Sequence, residues 1–212
     1  MQSTPRLQRL SSRNWAFSTA AAVLFAGLVL PPFGSIGLRE GLERAVGGSA
    51  FPKAWHEESL RLEGGIATDS YERLTAAWNA APGRYKRVTL DSHGGELFPA
   101  ISLAAFIRQH GLDTYVGDRG ECRSACTLVF QAGVRRIAHP TATFAYHCVI
   151  VQVPESDRCY TSTAFTRLYK DAMKHYGAPA SLLDRIVPDE TIRLTSHEAL
   201  DYGIVTELDS RR

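Results

Sequence analysis

The sequence predicts an α/β domain, a mostly parallel β-sheet flanked by helices, preceded by an N-terminal hydrophobic segment. The first observation is a regular succession of strand-like and helix-like periodicity after residue 59, which favours a parallel sheet covered by helices. The second is that small and polar segments, residues 92–95 and 120–124, follow predicted strands. Sites in parallel α/β sheets lie at the carboxyl ends of strands, so these segments are the first candidates for function.

Alternating and apolar runs predict the strands, which are expected over residues 60–63, 87–91, 114–116 and 143–147. Helices are expected between them. Asp69 or Ser70 can cap the first helix, and Pro82 ends it. Residues 98–109 predict the second helix, with Gly111 at the C′ position where glycine is common.

The N-terminal region has a different character. Arg6, Arg9 and Arg13 precede residues 14–38, a span of 25 residues without charge. A basic region before an apolar run is typical of a signal peptide, and this run is also long enough for a single transmembrane anchor. Under either interpretation of residues 1–38, the rest of the chain lies beyond the membrane. Residues 39–58 are interpreted as a linker, and residues 59–212 as the folded domain.

Composition restricts the function classes. The chain has 212 residues, 44% hydrophobic and 22% charged, with a formal net charge of +2. This suits one domain with one buried core. Positive and negative residues are interspersed, without a basic stripe, so nucleic acid is not expected as a partner.

Four cysteines are compatible with export to an oxidising compartment. Cys122 and Cys126 bracket a serine, whereas Cys148 and Cys159 flank a β-rich stretch with a turn expected at residues 154–157. The preferred pairing is Cys148 with Cys159 across this hairpin and Cys122 with Cys126 as a local bridge. A zinc site is the alternative, but the cysteines lack the CxxC spacing typical of one.

Three features together predict acyl-transfer chemistry. Ser124 precedes an apolar helix, whose N-terminal N–H groups favour a developing negative charge; the alternative is a simple helix cap. Gly94 and Gly95 follow a strand and allow backbone N–H groups to approach a ligand; the alternative is a tight turn. His147 ends an apolar strand, where a packed histidine is the alternative. A nucleophile, oxyanion donors and a base are thereby available at strand ends.

Several motifs in this order resemble the proteolytic subunit of the Clp protease. They are residues 91–95, 122–126, 132–133, Pro140 seven positions before His147, and residues 194–205. The interval of 23 residues from Ser124 to His147 is similar to the family's. The Cys-x-Ser-Ala-Cys form behind an export segment resembles extracytoplasmic members of the Clp protease/crotonase superfamily. The resemblance spans residues 60–208 and implies the Clp protease/crotonase-like fold.

The resemblance implies a role for each matching residue. Ser124 would be the nucleophile and His147 the general base. The N–H groups of Gly95 and Ala125 would form the oxyanion hole, and Gly94 would lie beside the substrate. Acyl-enzyme chemistry of this type needs no metal and no organic cofactor.

Two positions depart from the family's pattern. The family's acidic residue, which orients the histidine, corresponds to Thr191 here, so the nearby Asp189 is the candidate for that role. Loss of this partner can cost on the order of 10⁴ in rate. The family's proline in the glycine turn is His93, which is expected to occupy the turn rather than the site.

The resulting hypothesis is a serine peptidase acting on peptides or unfolded polypeptides in the periplasm or another extracytoplasmic space. The inner membrane is a partner if the N-terminal segment is retained. The helix expected at residues 162–176 corresponds to the family's ring-assembly element, so a homo-oligomer is possible; an ordinary packed surface helix is the alternative.

Three alternative functions are retained. One is a non-catalytic envelope interaction domain with a degenerate triad, and another is a crotonase-like acyl-CoA enzyme. The last is a serine–lysine peptidase, which is disfavoured because no lysine lies between Lys86 and Lys170.

Overall fold

The computed structural model describes residues 58–152 and 159–209. The predicted segment at residues 1–38, most of the predicted linker and the predicted turn at residues 154–157 lie outside the described residues. The first described strand begins at Ser59. Within the two described ranges, no helix is both long and apolar enough to span a membrane.

The strands of the described ranges build one large sheet and one hairpin. The large sheet contains β1 (Ser59–Ile66), β2 (Arg87–Gly95), β3 (Asp113–Val116), β4 (Glu121–Arg123), β5 (Arg136–Ala138), β6 (Thr143–His147), β9 (Thr191–Thr195) and β10 (Glu207–Leu208). The hairpin pairs β7 (Ile150–Gln152) with β8 (Cys159–Thr161). Strand order in the sheet is β10-β5-β3-β2-β4-β6-β9. Strand β1 stands outside this order and pairs with β2 along residues 87–95.

Helices occupy the connections between these strands. They are α1 (Thr68–Ala80), α2 (Leu97–Gln109), α3 (Ala125–Gln131), α4 (Thr163–His175), α5 (Ala180–Leu183) and α6 (Ser196–Asp201). The predicted helix over residues 98–109 is confirmed within one residue, and Gly111 has the positive φ of 62° expected at a C′ position. The predicted strand over residues 143–147 is confirmed at both ends.

All pairings in the large sheet are parallel except the one between β6 and β9. Ser92 of β2 lies beside Cys122 of β4, and Arg123 of β4 lies beside Ala145 of β6. The carboxyl ends of these three strands therefore meet at one edge. Gly95, Ser124 and His147 stand at these ends, as the strand–helix rhythm predicted.

The core lies between the sheet and the helices α2 and α3. Alternate residues of β2 show this, because Val88 and Leu90 are buried whereas Asp91 is exposed. Phe130 of α3 packs on Phe144 of β6, with ring centroids 4.9 Å apart. Burial of each such side chain contributes about 1.5–3 kcal/mol, so α3 is held firmly on the sheet below Ser124.

The start of α1 differs from the sequence expectation. Its N-cap position is Ala67, and neither Asp69 nor Ser70 is the cap residue. Ser70 lies at the third helical position, where its Oγ accepts a hydrogen bond of 3.2 Å from the Ala67 N–H. The Ser70 hydroxyl thus accepts a hydrogen bond from the backbone at the start of the helix. The helix therefore begins earlier than the positions of Asp69 and Ser70 indicate.

Helix α6 begins with a capping box, which the Thr-x-x-Glu spacing of Thr195 and Glu198 in the sequence predicts. The Thr195 hydroxyl accepts from the Glu198 N–H at 3.3 Å, and the Thr195 N–H donates to the Glu198 carboxylate at 2.7 Å. The Thr195 hydroxyl also donates to that carboxylate at 2.9 Å. This box turns the chain sharply from β9 into α6.

The capping box should make stability depend on pH. Hydrogen bonds from the backbone N–H and then the hydroxyl of Thr195 lower the pKa of Glu198 from its ordinary value of 4.5. A lowered folded-state pKa stabilises the fold above that ordinary value, and the contribution is lost as the pH falls through the folded-state value. We expect the difference in guanidinium midpoint between the wild type and Glu198→Gln to be largest near neutral pH and to shrink in acid. A difference of equal size at acid and neutral pH would contradict the cap; Thr195→Ala should reduce the same pH dependence.

Candidate active site

Ser124 stands at the N-cap of α3, directly after β4, in a backbone conformation with a positive φ that is rare for residues with a side chain (φ 53°, ψ −126°). Its N–H donates to the Ala145 carbonyl at 2.8 Å. Its own carbonyl accepts from the Thr127 N–H at 2.9 Å and from the Thr127 hydroxyl at 2.6 Å. A side-chain-bearing residue in this conformation costs about 1–3 kcal/mol, and such residues cluster at functional sites. These bonds hold the strained turn that carries the hydroxyl.

A disulfide brackets this serine. Cys122 of β4 and Cys126 of α3 are bonded, with their Cα atoms 5.3 Å apart, and both residues are fully buried. The local bridge expected from the sequence is therefore present in the structure. Because it joins the chain two residues before and two residues after Ser124, it limits how far the turn can relax.

Gly94 lies so close to the serine turn that there is no room for a Cβ atom at this position. Its φ is 95°, and a Cβ there would lie 2.6 Å from the Arg123 carbonyl oxygen and 2.7 Å from the Ser124 Cβ. Gly95 is similarly confined, since a Cβ would lie 2.2 Å from the Ile66 carbonyl oxygen. The glycine pair thus allows the end of β2 to pack between β1 and Ser124.

The pairing of β2 sets the direction of the Gly95 N–H. The next N–H, that of Glu96, donates to the Ile66 carbonyl of β1 at 2.8 Å. Successive N–H groups of an extended chain point to opposite sides, so we expect the Gly95 N–H to point away from β1, toward the edge that carries β4. Ala125 is the first residue of α3, where an N–H has no acceptor within the helix.

His147 shares a cavity of about 240 Å³ with Ser124, Gly95 and Ala125. Its lining also includes apolar and aromatic residues: Leu97, Val149, Ile150 and Tyr169. The predicted nucleophile, base and oxyanion donors are therefore brought together in one cavity. Gly94 lies behind Ser124, where it contacts the turn.

His93 also lines this cavity, whereas its place in the sequence motif predicted a position in a turn. Strand β2 continues to Gly95, so residues 92–95 are part of the strand rather than a separate turn. His93 is exposed on the same face as Asp91. Side chains of a strand alternate between its two faces, so a strand that continued past Asp91 would place His93 on the same face as Asp91.

Tyr169 and Thr127 support the serine turn, a role that no sequence pattern indicates. The Thr127 hydroxyl donates to Ser124, so it accepts from the Tyr169 hydroxyl, and the two oxygens are 2.5 Å apart. Burial raises the pKa of Tyr169 well above its ordinary value of 10.0, with the hydrogen bond to Thr127 opposing the shift. The phenol therefore remains a neutral donor at physiological pH.

Asp189 does not make the expected contact with His147. Both residues line a second cavity of about 330 Å³, together with Arg123, Glu190 and Thr191. Within the described ranges, however, no carboxylate forms a hydrogen bond or ion pair with the His147 ring. The His147 Nδ1 is instead 2.6 Å from the Cys148 carbonyl oxygen. Thr191 lies directly opposite His147 in the pairing of β6 with β9.

The predicted disulfide between Cys148 and Cys159 is not formed. Cys148 is buried and has a free thiol. Strand pairing explains the error, since Cys159 lies opposite Gln152, four residues along the chain from Cys148. At about 3.3 Å per residue this offset is on the order of 10 Å, beyond the Cα separation of about 4.4–6.8 Å that a disulfide requires.

Reduction of the Cys122–Cys126 bridge should destabilise the domain by about 2 kcal/mol, the loop-closure value for so short a loop. Guanidinium unfolding with and without a phosphine reductant measures this difference. The Cys122→Ala/Cys126→Ala variant should be insensitive to the reductant, whereas Cys148→Ala should remain as sensitive as the wild type. Loss of sensitivity in Cys148→Ala would show that Cys148 belongs to the stabilising disulfide.

No family model matches the sequence, and no curated protein matches it either. Solved structures do match. Two are variants of 1510-N membrane-bound stomatin-specific protease, 16% and 18% identical, each with a TM-score of 0.61 and covering 72% of this chain. The matches cover 79% and 74% of those chains, and the second holds a substrate peptide.

A ClpP1 variant from Listeria monocytogenes is 17% identical, with a TM-score of 0.59, over 76% of this chain and 95% of that one. The ClpP protease catalytic domain from Plasmodium falciparum is 14% identical, with a TM-score of 0.58, over 74% and 88%. At these identities the likeness shows the fold alone. The described domain has the α/β fold of ClpP and the stomatin-specific protease, as the sequence motifs led us to expect.

Proposed function

We propose that this protein is a serine hydrolase that cleaves peptides or unfolded polypeptide segments. The observation that carries the proposal is the strained Ser124 turn, which shares one cavity with His147 and with the backbone of Gly95 and Ala125. A nucleophile, a base and two directed N–H groups are the parts that acyl transfer requires. The similarity to proteases of this fold supports a peptidase rather than another kind of hydrolase.

In the proposed mechanism, Nε2 of His147 accepts the proton of the Ser124 hydroxyl as Oγ attacks the substrate carbonyl carbon. The carbonyl oxygen becomes an oxyanion and accepts from the N–H groups of Gly95 and Ala125. Collapse of the intermediate breaks the C–N bond, and the imidazolium returns the proton to the departing amine. Water then attacks the acyl-enzyme by the same route, which releases the acid and restores the Ser124 hydroxyl.

The cavity suits an extended polypeptide better than a compact polar ligand. Apolar side chains line it at Leu97, Val149 and Ile150. The backbone of Gly95 lines the cavity beside Ser124, so an extended substrate can lie along main-chain groups there. One of the similar structures, the stomatin-specific protease, holds a substrate peptide.

We place the activity on the extracytoplasmic side, in the periplasm or an equivalent space. The uncharged span at residues 14–38 supports export, with the chain either anchored in the inner membrane or secreted. The bridge between Cys122 and Cys126 supports the same compartment, because structural disulfides persist in oxidising environments.

A homo-oligomer is part of the proposal. Phe98 beside the cavity and Phe165 of α4 are 60% and 37% exposed, and their rings meet edge to face at 5.8 Å. Leu168, one turn along α4, is 38% exposed. Apolar side chains grouped in this way are typical of contacts between proteins. A second copy of the chain is the proposed occupant.

Substitution of this patch should shift the oligomer toward monomer. We expect Phe98→Glu/Phe165→Glu to lower the molar mass measured by light scattering, because two charges would have to be buried in the interface. Thr163→Glu, an exposed residue of the same helix, is the matched control. A mass that equals the monomer for the wild type would contradict the proposed oligomer.

A fluorophosphonate probe tests the hydrolase. The full-length protein should be labelled covalently at Ser124, and Ser124→Ala should abolish labelling. His147→Ala should slow it by at least about 100-fold, the usual contribution of a general base. Intact-mass analysis over time measures the rate. Ser181→Ala and His175→Ala, exposed residues outside the cavity, are the matched controls.

Absence of labelling in folded, oxidised wild-type protein would contradict the hydrolase. The alternative would then be a non-catalytic envelope domain that keeps the fold and binds its partner through the same cavity.

A further inference from the structure

His147 has a defined tautomer although no described carboxylate contacts it. Its Nδ1 is 2.6 Å from the carbonyl oxygen of Cys148. A carbonyl oxygen only accepts hydrogen bonds, so Nδ1 must carry the hydrogen. Nε2 then keeps its lone pair, which is the form that a base for Ser124 requires.

The peptide group that accepts this bond is itself held by a second bond. It joins Cys148 to Val149, and the Val149 N–H donates to the Thr166 hydroxyl of α4 at 2.9 Å. Thr166 is 7% exposed and Cys148 is 5% exposed, so water competes little for the Thr166 hydroxyl or the Cys148 carbonyl. Both ends of one rigid peptide plane are therefore fixed, one by Thr166 and the other by His147.

Charged groups around the imidazole do not make an equivalent contact. His93 shares one cavity with His147, and Arg123, Asp189 and Glu190 share the other. Asp189 and Glu190 are exposed and precede β9, beyond the residue that pairs with His147. That partner is Thr191, whose Cβ position in an antiparallel pair is about 4.5–5.5 Å from that of His147.

We propose that Thr166 is the positioning residue for His147, acting through the Cys148–Val149 peptide, which takes the place of the carboxylate in a Ser-His-Asp triad. The proposal rests on the hydrolase function proposed above. Thr166 touches neither the substrate nor the reacting atoms. It fixes the peptide plane, the peptide fixes the ring, and the ring presents Nε2 to Ser124.

Substitution of Thr166 tests the proposal in the full-length protein. Thr166→Val keeps the shape and removes the acceptor, so the rate of fluorophosphonate labelling should fall about tenfold, the value of one hydrogen bond. Thr166→Ser should restore the rate. Thr163→Val, the same change at an exposed position of α4, is the matched control.

A second readout follows the tautomer directly. Nitrogen-15 NMR of histidine-labelled protein, with His147 assigned by comparison with His147→Gln, should show hydrogen on Nδ1 in the wild type. Thr166→Val should mix the two tautomers, and Thr166→Ser should keep the wild-type spectrum. Hydrogen on Nε2 in the wild type would overturn the proposal, and so would an unchanged spectrum and rate in folded Thr166→Val.

A carboxylate introduced opposite the ring gives an independent test if Thr166→Val does not fold. Thr191→Asp favours the protonated imidazole, so the acidic limb of the labelling rate should move to higher pH and the maximal rate should rise about tenfold or more. Thr191→Asn is the uncharged control. Loss of rate in Asp189→Asn, or no response to Thr191→Asp, would show that a carboxylate already orients His147.

The two proposals fail in different ways. If no version is labelled, the hydrolase is wrong, and the tautomer spectra still decide whether Thr166 positions the ring. If the wild type is labelled but Thr166→Val changes neither the tautomer of His147 nor the labelling rate, the hydrolase proposal is supported and the positioning role is wrong.

Discussion

The strained, positive-φ backbone of Ser124 is the constraint on which the rest of the site depends. A residue with a side chain adopts it only when its surroundings compensate the strain. Here β6 holds the N–H through Ala145, α3 holds the carbonyl through Thr127, and a buried disulfide joins the two flanks of the turn. The close approach of Gly94 then leaves no room for the turn to relax toward β2. Together these contacts hold the turn in the conformation that presents the hydroxyl.

Helix α4 connects the two halves of the cavity. Tyr169 reaches the serine side through Thr127, and Thr166, one turn earlier, reaches the histidine side through the Val149 N–H. Residues one turn apart share a helix face, so a single element supports both groups. The sequence pattern identifies α4 only as an amphipathic helix that packs on the domain. Its hydroxyl contacts depend on which loops it meets, and the sequence does not specify them.

Features that rest on short-range interactions were predicted well. The start of α3 at Ser124, strand β6 and the capping box of Thr195 and Glu198 each depend on residues within a few positions of one another. The errors concern groups from separate elements. The pairing of Cys148 with Cys159 failed because the hairpin register offsets them, and the contact of Asp189 with His147 failed because Asp189 precedes the strand that faces the histidine.

The sequence alone determined the α/β alternation, the order of the motifs and the identities of Ser124, His147 and the glycine pair as candidates, because periodicity and turn chemistry are local. Only the tertiary structure decided that His93 lines the cavity and that the Cys148 carbonyl, rather than a carboxylate, meets the imidazole. The physical reason is that strand register and the packing of α4 set distances between residues far apart in sequence. A shift of one position would turn a side chain to the opposite face of the sheet.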